Sequence, residues 1–228
     1  MIIDFHMHER TFSSDSKMNL KEMVREAKRV GLDGICITDH DKYGLADYAR
    51  KISIQENFPI FVGVEYLSIE GDVLAFGIED LPKAHMEAQD FIDWVNERGG
   101  VCIAAHPFRG NSRGLGEDLL RVRGLIGIEV LNGSSTEEEN KKAYEYCKML
   151  ELQPIGASDC HNLIALGRYA TKVPSDCKSV EDLVEALKNE RCEPMVLSGY
   201  TSFDFEEKDK SREKFEIQIT EGRPLIRM

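Results

Sequence analysis

Two imidazoles stand two residues apart near the start of the chain, in IIDFHMHE, directly after a short apolar run. Ile2, Ile3 and Phe5 favour an extended strand, and residues i and i+2 of a strand point to the same side. His6 and His8 therefore project together where the strand ends, as two nitrogen ligands of one divalent cation would. Taken alone, HxH has a plainer explanation: a pair of satisfied core or surface histidines. The pattern recurs, however. Asp39, His40 and Asp41 follow GICIT, Glu65 follows FVGV, and Asp72 precedes VLAFGI. His106 and Pro107 follow VCIAA, and Asp159 and His161, again i and i+2, follow PIGAS. Asp15 lies in the first loop. Five of the six histidines occupy such positions and only His85 does not, a sorting that scattered structural histidines would not show. Mixed nitrogen and oxygen donors without thiolate suit Mn, Fe or Zn. Cys160, between Asp159 and His161, would point away from them and is expected to be buried, not a ligand.

The elements that must position these residues alternate along the chain. Leu20, Met23, Val24, Ala27 and Val30 keep a helical period that Gly31 stops. GICIT (34–38) is a strand, a helix covers about 44–53, and PIFVGV (59–64) and VLAFGI (73–78) are strands. EAQDFIDWVNERGG puts Phe91, Trp94 and Val95 on one helical face, before the strand VCIAA (101–105). A short helix near 115–121, the strand GIEVL (127–131), the helix 136–152 and the strand PIGAS (154–158) follow. Ser179 and Asp182 open a helix as a capping box, and PMVL (194–197) is a last core strand. Alternating strands and helices predict an α/β fold of parallel units. About seven units suggest a barrel, in which loops after the strands carry function. The chain reads as a single domain over 1–228, with a polar C-terminal extension from about 200. FDFEEKDKSREKFE is a charge-rich connector there, and FEIQIT (215–220) a candidate edge strand.

Bulk properties narrow the partners. At 228 residues, 42% hydrophobic and 31% charged, the chain can bury a substantial core without staples. Six cysteines with no CxxC spacing read as reduced, mostly buried thiols and predict a cytoplasmic location. No apolar stretch approaches membrane-spanning length, and no secretory signal is read at the N-terminus. A net charge of −12 argues against an extended nucleic-acid surface, although metals in a pocket could reverse the local field for a small phosphorylated ligand.

HMH, TDHD, the strand-end Glu65, the AAHP histidine and the SDCH pair, in order from residue 1 to about 175, resemble the PHP (polymerase and histidinol phosphatase) family, in its short free-standing phosphoesterase form. The resemblance implies a distorted (β/α)7 barrel holding two or three divalent metal ions. It implies that His6, His8, Glu65 and Asp159 hold a first metal. Glu65 would bridge to a second with His106 and Asp72, and Asp15, His40 and His161 would hold a third. Two positions depart from the family pattern: Asp72 stands where many relatives have His, and Glu9 where they often have Ser or Thr. Arg168, in GRYAT, resembles a family position that grips substrate phosphate. Arg109, in HPFR, is a second candidate, and Arg113 a third on the same loop.

This ligand set suits phosphate chemistry. Three divalent ions would outweigh Asp15, Glu65, Asp72 and Asp159 by two charges, enough to hold a phosphate dianion. A metal-bridged hydroxide could then attack phosphorus in line, with arginines gripping the phosphate. The expected function is a metal-dependent phosphoesterase acting on a small phosphate monoester or a nucleotide phosphate, with an oligonucleotide end also admitted. Nucleotide-cleaving relatives commonly carry a sizeable insert between the Glu65-type and His106-type residues. Here Asp72 and His106 are only 34 residues apart, which makes nucleotides less expected and suits a simple phosphorylated metabolite, or an oligonucleotide end reached through an open cleft. Two other readings compete. An amidohydrolase-type C–N hydrolase also begins with HxH, but no lysine sits at a strand end to bridge its metals. A non-catalytic PHP module would not need a near-complete ligand set. Asp39 is read as orienting a ligand histidine through its second nitrogen or capping the next helix.

Overall fold

The computed structural model describes residues 1–197 and the pair 218–219. The chain opens with β1 (Ile2–Asp4) and α1 (Leu20–Val30). The Asn19 side chain accepts from the Glu22 N–H at the start of α1, and Gly31, at φ 89°, takes the left-handed conformation that ends it. The periodic Leu20, Met23, Val24 and Ala27 are its buried face. Next come β2 (Gly34–Ile37), α2 (Ala46–Glu56), β3 (Ile60–Val62), β4 (Val64–Leu67) and β5 (Asp72–Phe76). They are followed by α3 (Ala88–Glu97), β6 (Val101–Ala104), a 3-10 turn at Gly116–Leu120 and β7 (Leu125–Asn132). The remainder is α4 (Glu137–Met149), β8 (Gln153–Ala157), β9 (Tyr169–Lys172), α5 (Val180–Asn189), β10 (Glu193–Val196) and β11 (Gln218–Ile219). Capping boxes at Thr136–Glu139 and Ser179–Asp182 open α4 and α5.

The α/β class holds, but the strands form two mixed sheets where a ring of parallel units was expected. One sheet has the order β11-β10-β9-β1-β2-β3, the other β4-β5-β6-β7-β8. β1, β2 and β3 run parallel, and so do β6, β7 and β8. β5 is antiparallel to both its neighbours, and β9 is antiparallel to β1 and β10. PIFVGV, read as one strand, breaks at Gly63, so that its halves join different sheets. A Cβ at Gly63 would lie 2.6 Å from the Ala75 carbonyl oxygen and from the Phe76 ring, which only glycine avoids. β9 was not expected as a strand. Of the tail from about 200, only β11 lies within the described residues; it pairs in parallel with β10 at the sheet edge.

The two sheets share an interior. Ile3, Phe5, Cys36 and Phe61 of one pack with Leu74, Phe76, Ile103 and Ile155 of the other, and Leu183 and Leu187 of α5 join them. Phe5 and Phe76 meet edge to face at 5.9 Å. α1 and α2 cover the outer face of the first sheet, and α3 and α4 that of the second. Isolated bridges Met7–Cys160 and His40–Glu65 tie the sheets together where the chemistry-bearing residues gather. No helix among the described residues is long and apolar enough to cross a membrane.

Candidate metal centre

Strand direction explains why these residues converge. His6, His8 and His40 follow the parallel strands β1 and β2, while His106, Asp159 and His161 follow β6 and β8. β5 runs against β6, so Asp72 reaches the same end by standing at its start. Glu65 lies within β4, two residues past the Gly63 break. His106 (φ 26°) and Asp159 (φ 49°) take the left-handed conformation that is costly for non-glycine residues. Such strain persists where the surroundings over-determine a side-chain direction.

The nine residues read as ligands from the sequence do come together. His6 Nε2 lies 3.4 Å from Glu65 Oε1 and 3.5 Å from Asp159 Oδ1. His8 Nε2 lies 3.6 Å from Glu65 Oε2 and 3.3 Å from Asp159 Oδ1. His106 Nε2 lies 2.9 Å from Glu65 Oε1 and 3.8 Å from Asp72 Oδ2. Asp15 Oδ2 lies 3.2 Å from both His40 Nε2 and His161 Nε2. The His8 ring stacks between His40 and His161, with centroids 4.2 and 4.1 Å away. Among the described residues, four overlapping triads have ligand atoms within 4.8 Å of one another: His6–His8–Glu65, His6–His106–Asp159, Glu65–Asp72–His106 and His8–His40–His161. The first three are wholly buried.

Electrostatics and hydrogen bonding give this cluster the character of a cation site. Burial lowers the His8 imidazole to a pKa of about 4. Burial also acts to lower His6, but Glu129, Asp159 and Glu65 outweigh it and lift His6 well above its ordinary value. Burial and the neighbouring Glu65 push Asp72 up to about 6. Glu65 and Asp159 are held well below the usual range despite burial, because His6 faces both. His6 Nε2 is buried without a hydrogen bond, while Glu65 Oε2 has His40 Nδ1 at 2.6 Å. Buried atoms of this kind are costly unless something compensates them. A divalent ion fits these donors: imidazole nitrogens and carboxylate oxygens face one another within ligand range, and an ion would take the place of the proton that the surrounding acids hold on His6.

The arginines divide. Arg109 Nη1 donates to Asp159 Oδ2 at 2.8 Å. Arg113 grips both oxygens of Asp72, from Nε at 2.7 Å and Nη2 at 2.8 Å. Arg168 Nη1 donates to the Gly133 carbonyl at 3.2 Å, and its guanidinium lies 5.3 Å from the Tyr169 ring. Asp39 does not bond a ligand imidazole directly. Its Oδ1 accepts from the Ser13 hydroxyl at 2.7 Å, and Ser13 Oγ lies 3.3 Å from His8 Nδ1, so Asp39 reaches His8 through Ser13. Nor does it cap α2, whose N-cap is Leu45 without a side-chain bond. Glu9 turns back to accept from the Thr11 N–H at 2.7 Å. Cys160 is buried, as expected.

Sequence reasoning missed Glu129, Asn132, Ser13 and Asp4. Glu129, fully buried, contacts His6 Nδ1 at 2.9 Å and accepts from the His106 N–H and Asn132 Nδ2, both at 2.8 Å. It adds an acid to the charges of the nine ligands, against which Arg109 on Asp159 and Arg113 on Asp72 add two cations. Asp4, also fully buried, accepts from the N–H groups of Ser158 and Gly167 and fastens the β8 and β9 loops to β1. The signal available for both was a lone acid inside an apolar strand, in IIDF and in GIEVL.

Comparisons with known proteins bear on the family and the fold. The family described as "PHP domain" matches residues 4–155, and the one described as "PHP-associated" matches 137–192. A Thermotoga maritima protein named "probable histidinol-phosphatase" is 32% identical over 203 residues, covering 87% of this chain and 70% of the relative. A Caldicellulosiruptor saccharolyticus protein named "probable phosphatase" is 33% identical over 129 residues, covering 50% of this chain and 49% of the relative, so the match spans about half of that protein. Among solved structures, one from Bifidobacterium adolescentis described as a "putative metal-dependent phosphoesterase" superposes with a TM-score of 0.61 at 18% identity. That match covers 82% of this chain and 96% of the other, and speaks for the fold alone.

Proposed function

The chain belongs to the PHP domain family of metal-dependent phosphoester hydrolases, and from that premise we propose that it hydrolyses a small phosphate monoester at the strand-end cluster. The observation that carries this reading is the buried meeting of His6, His8, His106, Glu65, Asp72 and Asp159, with His6 Nε2 lacking a hydrogen bond. Two or three divalent ions held there would offset the charge of a phosphate group and lower the pKa of a water molecule. Mn, Fe or Zn suits the donor set.

The chain's own residues supply orientation. Glu65 presents one oxygen toward His106 and the other toward His8 and His40, so it is the carboxylate best set to be shared between ions. Asp39, through Ser13, holds the His8 ring with Nε2 inward. Arg109, half-buried beside Asp159, is at the right depth to meet a phosphate oxygen. Arg113 fixes Asp72 and tempers its charge. Arg168, anchored on Gly133, is assigned to the outer grip on the phosphate.

The short span between β5 and β6, holding α3, supports a compact metabolite over a nucleotide, and the substrate panel decides whether an oligonucleotide end is also taken. Six buried free thiols support a reducing, cytoplasmic setting. The test is phosphate release with Mn²⁺ from p-nitrophenyl phosphate, histidinol phosphate, a mononucleotide and a short oligonucleotide, beside an amide-hydrolysis panel. His8→Ala and Asp159→Ala should each lower kcat/KM at least about 100-fold, at the upper end of what outer partners of metal ligands contribute, with unchanged circular dichroism. Wild-type turnover in both variants would remove the metal-centre assignment. Amide cleavage without phosphate release would favour the C–N hydrolase reading.

A further inference from the structure

We infer that Glu129 is a positioning residue that fixes the tautomer of His6, and that this carboxylate, itself outside the ligand cluster, determines whether His6 can bind an ion. The inference rests on the metal-centre reading above.

The geometry leaves little freedom. Glu129 lies in β7 with its side chain fully buried. One oxygen, Oε1, lies 2.9 Å from His6 Nδ1. The other, Oε2, accepts from two donors at 2.8 Å: the backbone N–H of His106 and the side-chain amide of Asn132. A carboxylate only accepts, so Nδ1 of His6 is the nitrogen that donates to Glu129, and Nε2 is left as the nitrogen that would offer its lone pair to an ion. Nε2 is the atom that faces Glu65 and Asp159, and it has no hydrogen bond of its own.

The donors on Oε2 cannot easily turn around. The His106 N–H is backbone. The Asn132 amide is held in one orientation because its Oδ1 accepts from the Ser134 N–H at 2.9 Å and from the Ser135 hydroxyl at 3.3 Å. Its backbone is clamped in turn by Asn140 of α4, whose side chain accepts from the Asn132 N–H at 2.9 Å and donates to the Asn132 carbonyl at 3.1 Å. Glu129 thus couples a helix-anchored network to two ligand histidines on different sheets, through the ring of one and the backbone of the other.

The isosteric variant Glu129→Gln tests this. Glutamine has one carbonyl oxygen, and the two fixed donors hold it at the Oε2 position. Its NH₂ then faces His6 Nδ1, which must accept, and the ring proton moves to Nε2, where it blocks ion binding. Zn²⁺, being diamagnetic, serves as the probe in titration calorimetry and in ¹⁵N spectra of the imidazole rings. The wild-type Zn²⁺ form should carry the His6 proton on Nδ1. Glu129→Gln should bind Zn²⁺ about 10–100-fold more weakly, with a near wild-type melting midpoint before Zn²⁺ is added. A His6 proton on Nε2 in the wild-type Zn²⁺ form overturns the inference even if the variant does not fold. Wild-type Zn²⁺ affinity in Glu129→Gln overturns it while leaving the centre intact. Failure of wild type to bind Zn²⁺, with His8→Ala no different, overturns the underlying centre as well, so the two failures are told apart.

Discussion

Arg109 touches the centre, whereas Arg168 is anchored on the Gly133 carbonyl, and that difference predicts different kinetics. The Arg109 guanidinium, 2.8 Å from Asp159 Oδ2, already holds a carboxylate of the cluster. Removing it loses a charge-assisted hydrogen bond worth about 1.5–3 kcal/mol and leaves Asp159 buried beside other acids. Arg109→Ala should therefore lower kcat/KM about 10–100-fold with both kcat and KM affected. Arg168 is anchored on the Gly133 carbonyl and reaches no carboxylate ligand through that bond, so Arg168→Ala should raise KM and leave kcat within about twofold, as loss of uniform binding does. Steady-state kinetics on p-nitrophenyl phosphate separate the two, and unchanged constants for Arg109→Ala would remove its role. Residues at this scale were legible from the sequence where they stand just beyond an apolar run, as His6, His8, His106 and Asp159 do. Glu129 and Ser13 were not, because what they do depends on partners that only folding supplies. Glu129 meets His6 across 123 positions of sequence, and a lone acid inside GIEVL reads equally well as the wet side of a strand.

Gly63 sets the relation between two elements and, through it, the position of Glu65. β3 and β4 are one apolar run in the sequence, but the chain crosses from one sheet to the other between them. Gly63 N–H still pairs with the Ile37 carbonyl at 2.9 Å, so the crossing occurs within a single residue. Gly63→Ala would force a methyl group against the Ala75 carbonyl and the Phe76 ring. Overpacking of this kind costs about 1–3 kcal/mol, and because Glu65 lies two residues on, activity should fall further than the urea midpoint implies. A variant with wild-type midpoint and turnover would show that the backbone there yields freely. The break was illegible because nothing in PIFVGV is polar and the crowding comes from β5. The helices, by contrast, were legible from local chemistry alone: Gly31 ends α1, and Ser179 and Asp182 open α5 as read. The four-residue β9 was missed because YATK has only weak alternation, and its pairing with β1 and β10 is tertiary.

At the scale of the whole molecule, the centre is a seam. His6, His8 and His40 belong to the sheet that contains β1 and β2, and Glu65, Asp72, His106 and Asp159 to the sheet that contains β4 to β8. The apolar interior that joins the sheets lies behind them, built from Phe5, Phe61, Phe76 and Ile103 among others. An ion held by residues of both sheets would cross-link them against the mutual repulsion of acids in a chain of net charge −12. Since the unfolded chain has no such site, binding adds to stability by mass action, about 2.7 kcal/mol at a hundredfold excess over Kd. For a chain of this length that corresponds to a melting shift of roughly 5–10 °C. Chelator-treated protein should therefore melt roughly 5–10 °C below protein supplied with Mn²⁺, and returning the ion should restore the difference. The contribution of the seam is isolated by His8→Ala, which removes a donor of the first sheet and leaves the acids of the second. In that variant the gap between chelated and Mn²⁺-supplied melting should shrink, while the chelated midpoint stays near that of wild type. An undiminished gap would mean that His8 does not hold the stabilising ion, and its part in the cross-link would then have to be given up even if the protein binds metal.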